Sequence, residues 1–95
     1  MASHRAEFKT RVARQLDALH ARIAELEALA RRSREHAISY DTEVGAARRR
    51  HQETLRRLHL LDARPDDDWH EQGADVRASV RDLERAVEQA EGSSR

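Results

Sequence analysis

The stretch VARQLDALHARIAELEALARRSREHAISY, residues 12–40, sets the architecture of this 95-residue chain. Its apolar and small residues recur four and three apart: Val12, Leu16, Leu19, Ile23, Leu26, Ala30, Ser33, Ala37 and Tyr40. The frame continues through Val44, Ala47, His51, Thr54, Leu58 and Leu61 without a slip. Such a 4-3 pattern keeps one stripe of a helix apolar, and sustained over many heptads it reads as a coiled coil. Phe8 stands one step off the frame and reads as an end residue.

The stripe is uneven. It is strongly apolar from Val12 to Leu29 and again from Leu55 to Leu61, but small or polar between, at Ala30, Ser33, Ala37, Ala47, His51 and Thr54. Apolar burial is worth roughly 25 cal/mol per Å², so the middle holds less stabilisation than either end. No Pro or Gly falls between Arg31 and Ile38, and the unbroken phase favours one helix over about residues 4–62. The rival is a three-helix bundle, broken within 31–38. Pro65, the one proline, ends the helix near Ala63, because the residue before proline avoids the α region. Asp66, Asp67 and Asp68 suit the positive N-terminal end of a second helix, with Asp68 and Glu71 spaced as a capping box. That helix carries Trp69, Gly73, Val76, Val80, Leu83, Val87 and Ala90 at the same 4-3 spacing and runs over about 66–91, after a turn at 63–66.

The expected fold is therefore all-α: a single coiled-coil domain over 1–95, with a long helix and a shorter antiparallel one forming a hairpin. Tyr40, Val44, Leu58, Leu61, Trp69, Val76, Val80, Leu83 and Val87 would pack the hairpin. A helix of about 59 residues is roughly 88 Å long and one of about 26 roughly 39 Å, so the short helix covers half of the long one. Val12, Leu16, Leu19, Ile23, Leu26 and Leu29 are then left without a partner in the chain, and an exposed stripe of this kind marks an interface. The expectation is a homo-oligomer, most simply an antiparallel dimer through these six residues. Charge favours the same arrangement. Residues 1–50 hold 11 basic and 7 acidic groups, residues 51–95 hold 7 and 11, so a net charge of zero is the sum of +4 and −4.

Composition excludes several classes. With 3% aromatic residues, three Gly and one Pro, the chain lacks the turns and strands of a β-sandwich or barrel. Without cysteine there is no disulfide framework, Cys-ligated zinc or Cys nucleophile. No run has the length of a membrane span and no secretory leader is visible, so a soluble cytoplasmic protein without membrane partners is expected. The six histidines never fall at i,i+3 or i,i+4 to one another. Mixed pairs such as Asp17/His20, His59/Asp62 and Asp67/His70 supply two ligands where zinc needs three or four. The Asp66–Asp68 run lacks the Gly and Glu of a calcium loop. Arg31-Arg32-Ser33-Arg34, Arg48-Arg49-Arg50 and Arg56-Arg57 suit phosphate, but zero net charge and interspersed carboxylates argue against nucleic acid. No phosphate loop, nucleophile elbow or other catalytic grouping is present, so no enzymatic activity and no cofactor are expected.

Several segments carry a resemblance: Gln15-Leu16-Asp17, Ile23 to Ala28, Tyr40, the Arg-rich run closing on Leu58 and Leu61, and Asp67-Asp68-Trp69 opening a last helix with Val76 and Val80. Together, over about residues 8–90, they resemble the small bacterial coiled-coil proteins described as a stress-response family in cyanobacteria and proteobacteria. This chain differs in being rich in Arg rather than Lys. The resemblance implies a long and a short helix, no catalytic activity and no transferable site residues. The function expected is a structural or protein-interaction module, stress-related in that family's sense. The alternative is a nucleic-acid-associated protein using its arginine clusters.

Overall fold

The computed structural model describes residues 4–32, 37–65 and 67–93, with backbone alone for 37–41 and 93. All regular structure among them is helical: α1 (His4–Arg32), α2 (Ala37–Leu60), a single 3-10 turn (Leu61–Ala63) and α3 (His70–Ser93). The Cα extents are 51 × 21 × 17 Å, too short for a helix of roughly 88 Å. The single helix over 4–62 is thus corrected to two helices lying side by side. Contacts at opposite ends set their direction: Lys9 pairs with Asp62, and Arg48 with Glu27, so α2 returns antiparallel to α1. Thr54 meets Ser79, and α3 runs back antiparallel to α2. This makes α3 parallel to α1, and those two meet least extensively of the three pairs.

The hydrophobic effect explains the reversal. A straight helix would leave Val12, Leu16, Leu19, Ile23 and Leu26 in water; folding back buries all five to 2–4% exposure. The expected interface is therefore corrected too. These five residues form the chain's own core, and of the six only Leu29, 43% exposed, keeps a solvent face. Its exposure follows from helix length. Phe8, Gln15, Arg22 and Leu29 form a seven-residue ladder facing α3, and Arg22 already reaches Glu91 near the end of that helix. Leu29 lies a further two turns on, where α3 has stopped.

The rest of the 4-3 frame holds. Val44, Ala47, Thr54, Leu58 and Leu61 are buried from α2 and the turn after it, as are Trp69, Val76, Val80, Leu83, Val87 and Ala90 from α3 and the residue before it. Apart from Thr54, they form one core cluster together with the apolar residues of α1. Tyr40 belongs to α2, but its side chain lies outside the described residues. His51 is half-buried at the α1/α2 seam. Its Nε2 donates to the Leu16 carbonyl at 3.2 Å, and its ring lies 5.2 Å from that of His20. Thr54 is fully buried; its hydroxyl reaches the Arg50 carbonyl at 2.8 Å and the Ser79 hydroxyl at 2.5 Å.

Pro65 ends α2 as its chemistry requires. Arg64 is extended (φ −101°, ψ 146°) and its N–H donates to the Leu61 carbonyl. The start of α3 differs from expectation. Asp68 N–H donates back to the Pro65 carbonyl at 3.1 Å, closing a turn, and α3 begins at His70 rather than 66. Trp69, not Asp68, directly precedes the helix, and its carbonyl accepts the Gly73 N–H at 2.8 Å. The turn carries the indole inward, where it is 6% exposed, and burial of that large surface outweighs an extra turn of helix capped by aspartates.

Candidate interaction surface

The parallel helices α1 and α3 leave an open groove of about 300 Å³ between them. Its floor is apolar, formed by Phe8, Val12 and Val80; its walls carry Arg11, Gln15, Arg77, Arg81 and Glu84. Each side chain is placed by helical periodicity. Phe8 is the first buried residue of α1, and its ring meets the Trp69 indole at 5.2 Å, tilted by 41°. Gly73, one turn into α3, leaves the space the indole occupies: a β-carbon there would lie 2.8 Å from Trp69 Cζ3. One further turn on, Arg77 lays its guanidinium over the Phe8 ring, 5.6 Å from the centroid, and a cation on a ring face is attracted by the quadrupole. Arg81 follows at the next turn, and Arg11 stands opposite on α1.

Further along the same seam the charge changes sign. Arg22 of α1 donates two hydrogen bonds to the Glu91 carboxylate, Nε to Oε2 at 3.0 Å and Nη2 to Oε1. The bond to Glu91, joined by the fields of Glu91, Glu88 and Glu84, raises the Arg22 pKa against the opposing effect of desolvation. Glu88 and Glu91 of α3 share this end with Arg22, Glu25 stands two heptads beyond Arg11 on α1, and Glu84 lies between the two ends. The seam therefore carries three arginines, Arg11, Arg77 and Arg81, at one end, Glu84 at its middle, and a net −2 at the other end.

The arginine clusters prominent in the sequence are elsewhere and partly neutralised. Arg48 pairs with Glu27, while Arg56 and Arg57 share Glu53. Two guanidinium donors on one carboxylate, first Arg56 and then Arg57, hold Glu53 down to about 2. Arg31 and Arg32 lie exposed at the end of α1, and Arg34 is outside the described residues. Arg11, Arg77 and Arg81 were not singled out by sequence reasoning. They belong to segments 66 residues or more apart, and only the parallel placement of α1 and α3 joins them. Their positions beside the core stripe, next to Val12, Val76 and Val80, were the available signal.

Among the described residues, no helix is long and apolar enough to cross a membrane, and no three His, Asp or Glu gather as metal ligands. No family model matches the chain, and neither a characterised protein nor a solved structure shows significant similarity to it.

Proposed function

We propose that this chain is a non-enzymatic helical module for protein interaction, and that the α1/α3 seam is its working surface. The separation of charge along that seam, over an apolar floor, carries the reading. Three arginines converge on one groove although the chain has no net charge. Aligned opposite charges across an interface select a partner and its orientation more than they add affinity. The likeness to bacterial coiled-coil stress proteins adds a stress-linked role; it stands on residues alone. Capture from a lysate tests the module reading. The wild-type chain retains protein at low salt, and a folded Arg77→Glu/Arg81→Glu chain retains less. Equal capture by both chains would refute use of this surface.

A further inference from the structure

From the seam's symmetry of charge we infer that its partner is a second copy of this chain, docked antiparallel along α1 and α3. The inference rests on the interaction-module reading above and adds the identity of the partner.

A two-fold interface brings one surface against itself reversed, so a surface fits its own copy when its halves are complementary. The seam meets that condition. Arg77 and Arg81 precede Glu88 and Glu91 by about ten residues, or ~15 Å along the helix. A two-fold axis passing near Glu84 on α3 and Ala18 on α1 sets the arginine end of each copy against the acidic end of the other, with the Glu84 pair at the axis as the one like-charged contact. Ala18 is exposed and small, so the helices approach closely where the axis passes. Leu29, uncovered because α3 stops short, stands on the ladder that faces the seam and is positioned to meet the first turns of the partner's α1. A parallel pairing would oppose three arginines to three arginines. An acidic helix of another protein would match the arginine end alone and oppose the excess of carboxylate at the Glu25 and Glu88 end.

The dimer is held by exposed charges over a narrow apolar floor, so it responds to salt. Screening shortens the Debye length from ~10 Å at about 0.1 M to ~3 Å at about 1 M. Sedimentation equilibrium of the purified chain is the test, with helicity by circular dichroism confirming that each exposed-site variant folds. The wild type dimerises at about 0.03 M salt, and its dissociation constant rises about tenfold or more by about 0.5 M. Arg77→Glu/Arg81→Glu makes both ends of the seam acidic, and Glu84→Arg/Glu88→Arg makes both ends basic. Each variant alone sediments as a monomer. Mixed in equal amounts, the two form a heterodimer, because the acidic side chains at positions 81, 84 and 88 of one variant then face basic side chains of the other.

A monomeric wild type at low salt overturns the inference. So does a dimer that either variant leaves intact, or a mixture that stays monomeric. The two readings fail separately. A monomeric wild type that still captures lysate protein through the seam keeps the module and discards the second copy; loss of both discards both.

Discussion

Replacing Gly73 with alanine lowers the stability of the bundle, whereas the same replacement at Gly45 raises it. Both glycines lie inside helices and neither has positive φ, so alanine fits either backbone and gains about 1 kcal/mol of helix propensity. Their surroundings differ. A β-carbon at Gly45 would meet only the mobile Arg49 Nη1, at 3.6 Å, an ordinary contact. At Gly73 it would lie 2.8 Å from Cζ3 and 2.9 Å from Cε3 of Trp69. The indole has little room to retreat, with Phe8 at 5.2 Å and His70 at 4.7 Å between ring centroids. Overpacking of this kind costs about 1–3 kcal/mol, which leaves Gly73→Ala about 0–2 kcal/mol less stable than the parent. The two variants then differ by about 1–3 kcal/mol, and each kcal/mol shifts Tm by about 4–8 °C in a domain of this size. Thermal unfolding followed at 222 nm measures the difference. A Gly73→Ala protein as stable as Gly45→Ala would refute the packing of Trp69 over this position.

Ile23→Ala costs about 2–5 kcal/mol in urea unfolding, at every protein concentration, because Ile23 lies in the core of its own chain; Leu29→Ala stays within about 0.5 kcal/mol of the parent in the monomer. Equal losses at the two positions would restore the sequence expectation of one intermolecular stripe. An NMR titration of the Glu53 carboxyl is expected to find it near 2, below its ordinary value of 4.5, because Arg56 and Arg57 donate to it. A depressed carboxylate adds stability above its unfolded pKa and loses it as pH falls towards the folded one, so the contribution fades between about pH 4.5 and 2. Glu53→Gln removes that part of the acid response, and a Glu53 titration near 4.5 would show that Arg56 and Arg57 do not hold it.

The sequence revealed the buried faces more clearly than the chain path between them. Every described core residue from Val12 to Ala90 follows from the 4-3 spacing, since periodicity reports which side of a helix is apolar and nothing else. The reversal after Arg32 left no such trace. Ala30 and Val44 are fourteen residues apart, two full heptads, so a break between them preserves the phase and imitates a continuous helix. What did register was the fall in apolar content after Leu29, together with the length of stripe that a two-helix hairpin leaves wet. Pro65 was legible because its ring disfavours helix at Arg64 through a local clash, independent of distant packing. The four-residue error at the start of α3 arose from weighing aspartate capping without the burial of Trp69, a long-range term absent from local sequence. The charged seam was hidden for a related reason. The +4 and −4 halves of the chain were visible, but the pairing of Arg11 with Arg77 and Arg81 exists only once α1 and α3 lie parallel.

The buried hydroxyl of Thr54 and the half-buried one of Ser79 act as a detent between the last two helices. Valine, leucine and alanine recur so regularly along α2 and α3 that a slide of one heptad, about 10 Å, would still mesh apolar against apolar. Ser79 would then face Ala47 or Leu61 in place of Thr54, and the hydrogen bond between the two hydroxyls, worth about 1 kcal/mol, would be lost. Sliding is thereby converted from a smooth motion into discrete, unequal steps. The level at which Arg77 meets Phe8 is thus held twice, by the direct Arg22–Glu91 pair and, through α2, by an oxygen that touches neither ring nor guanidinium.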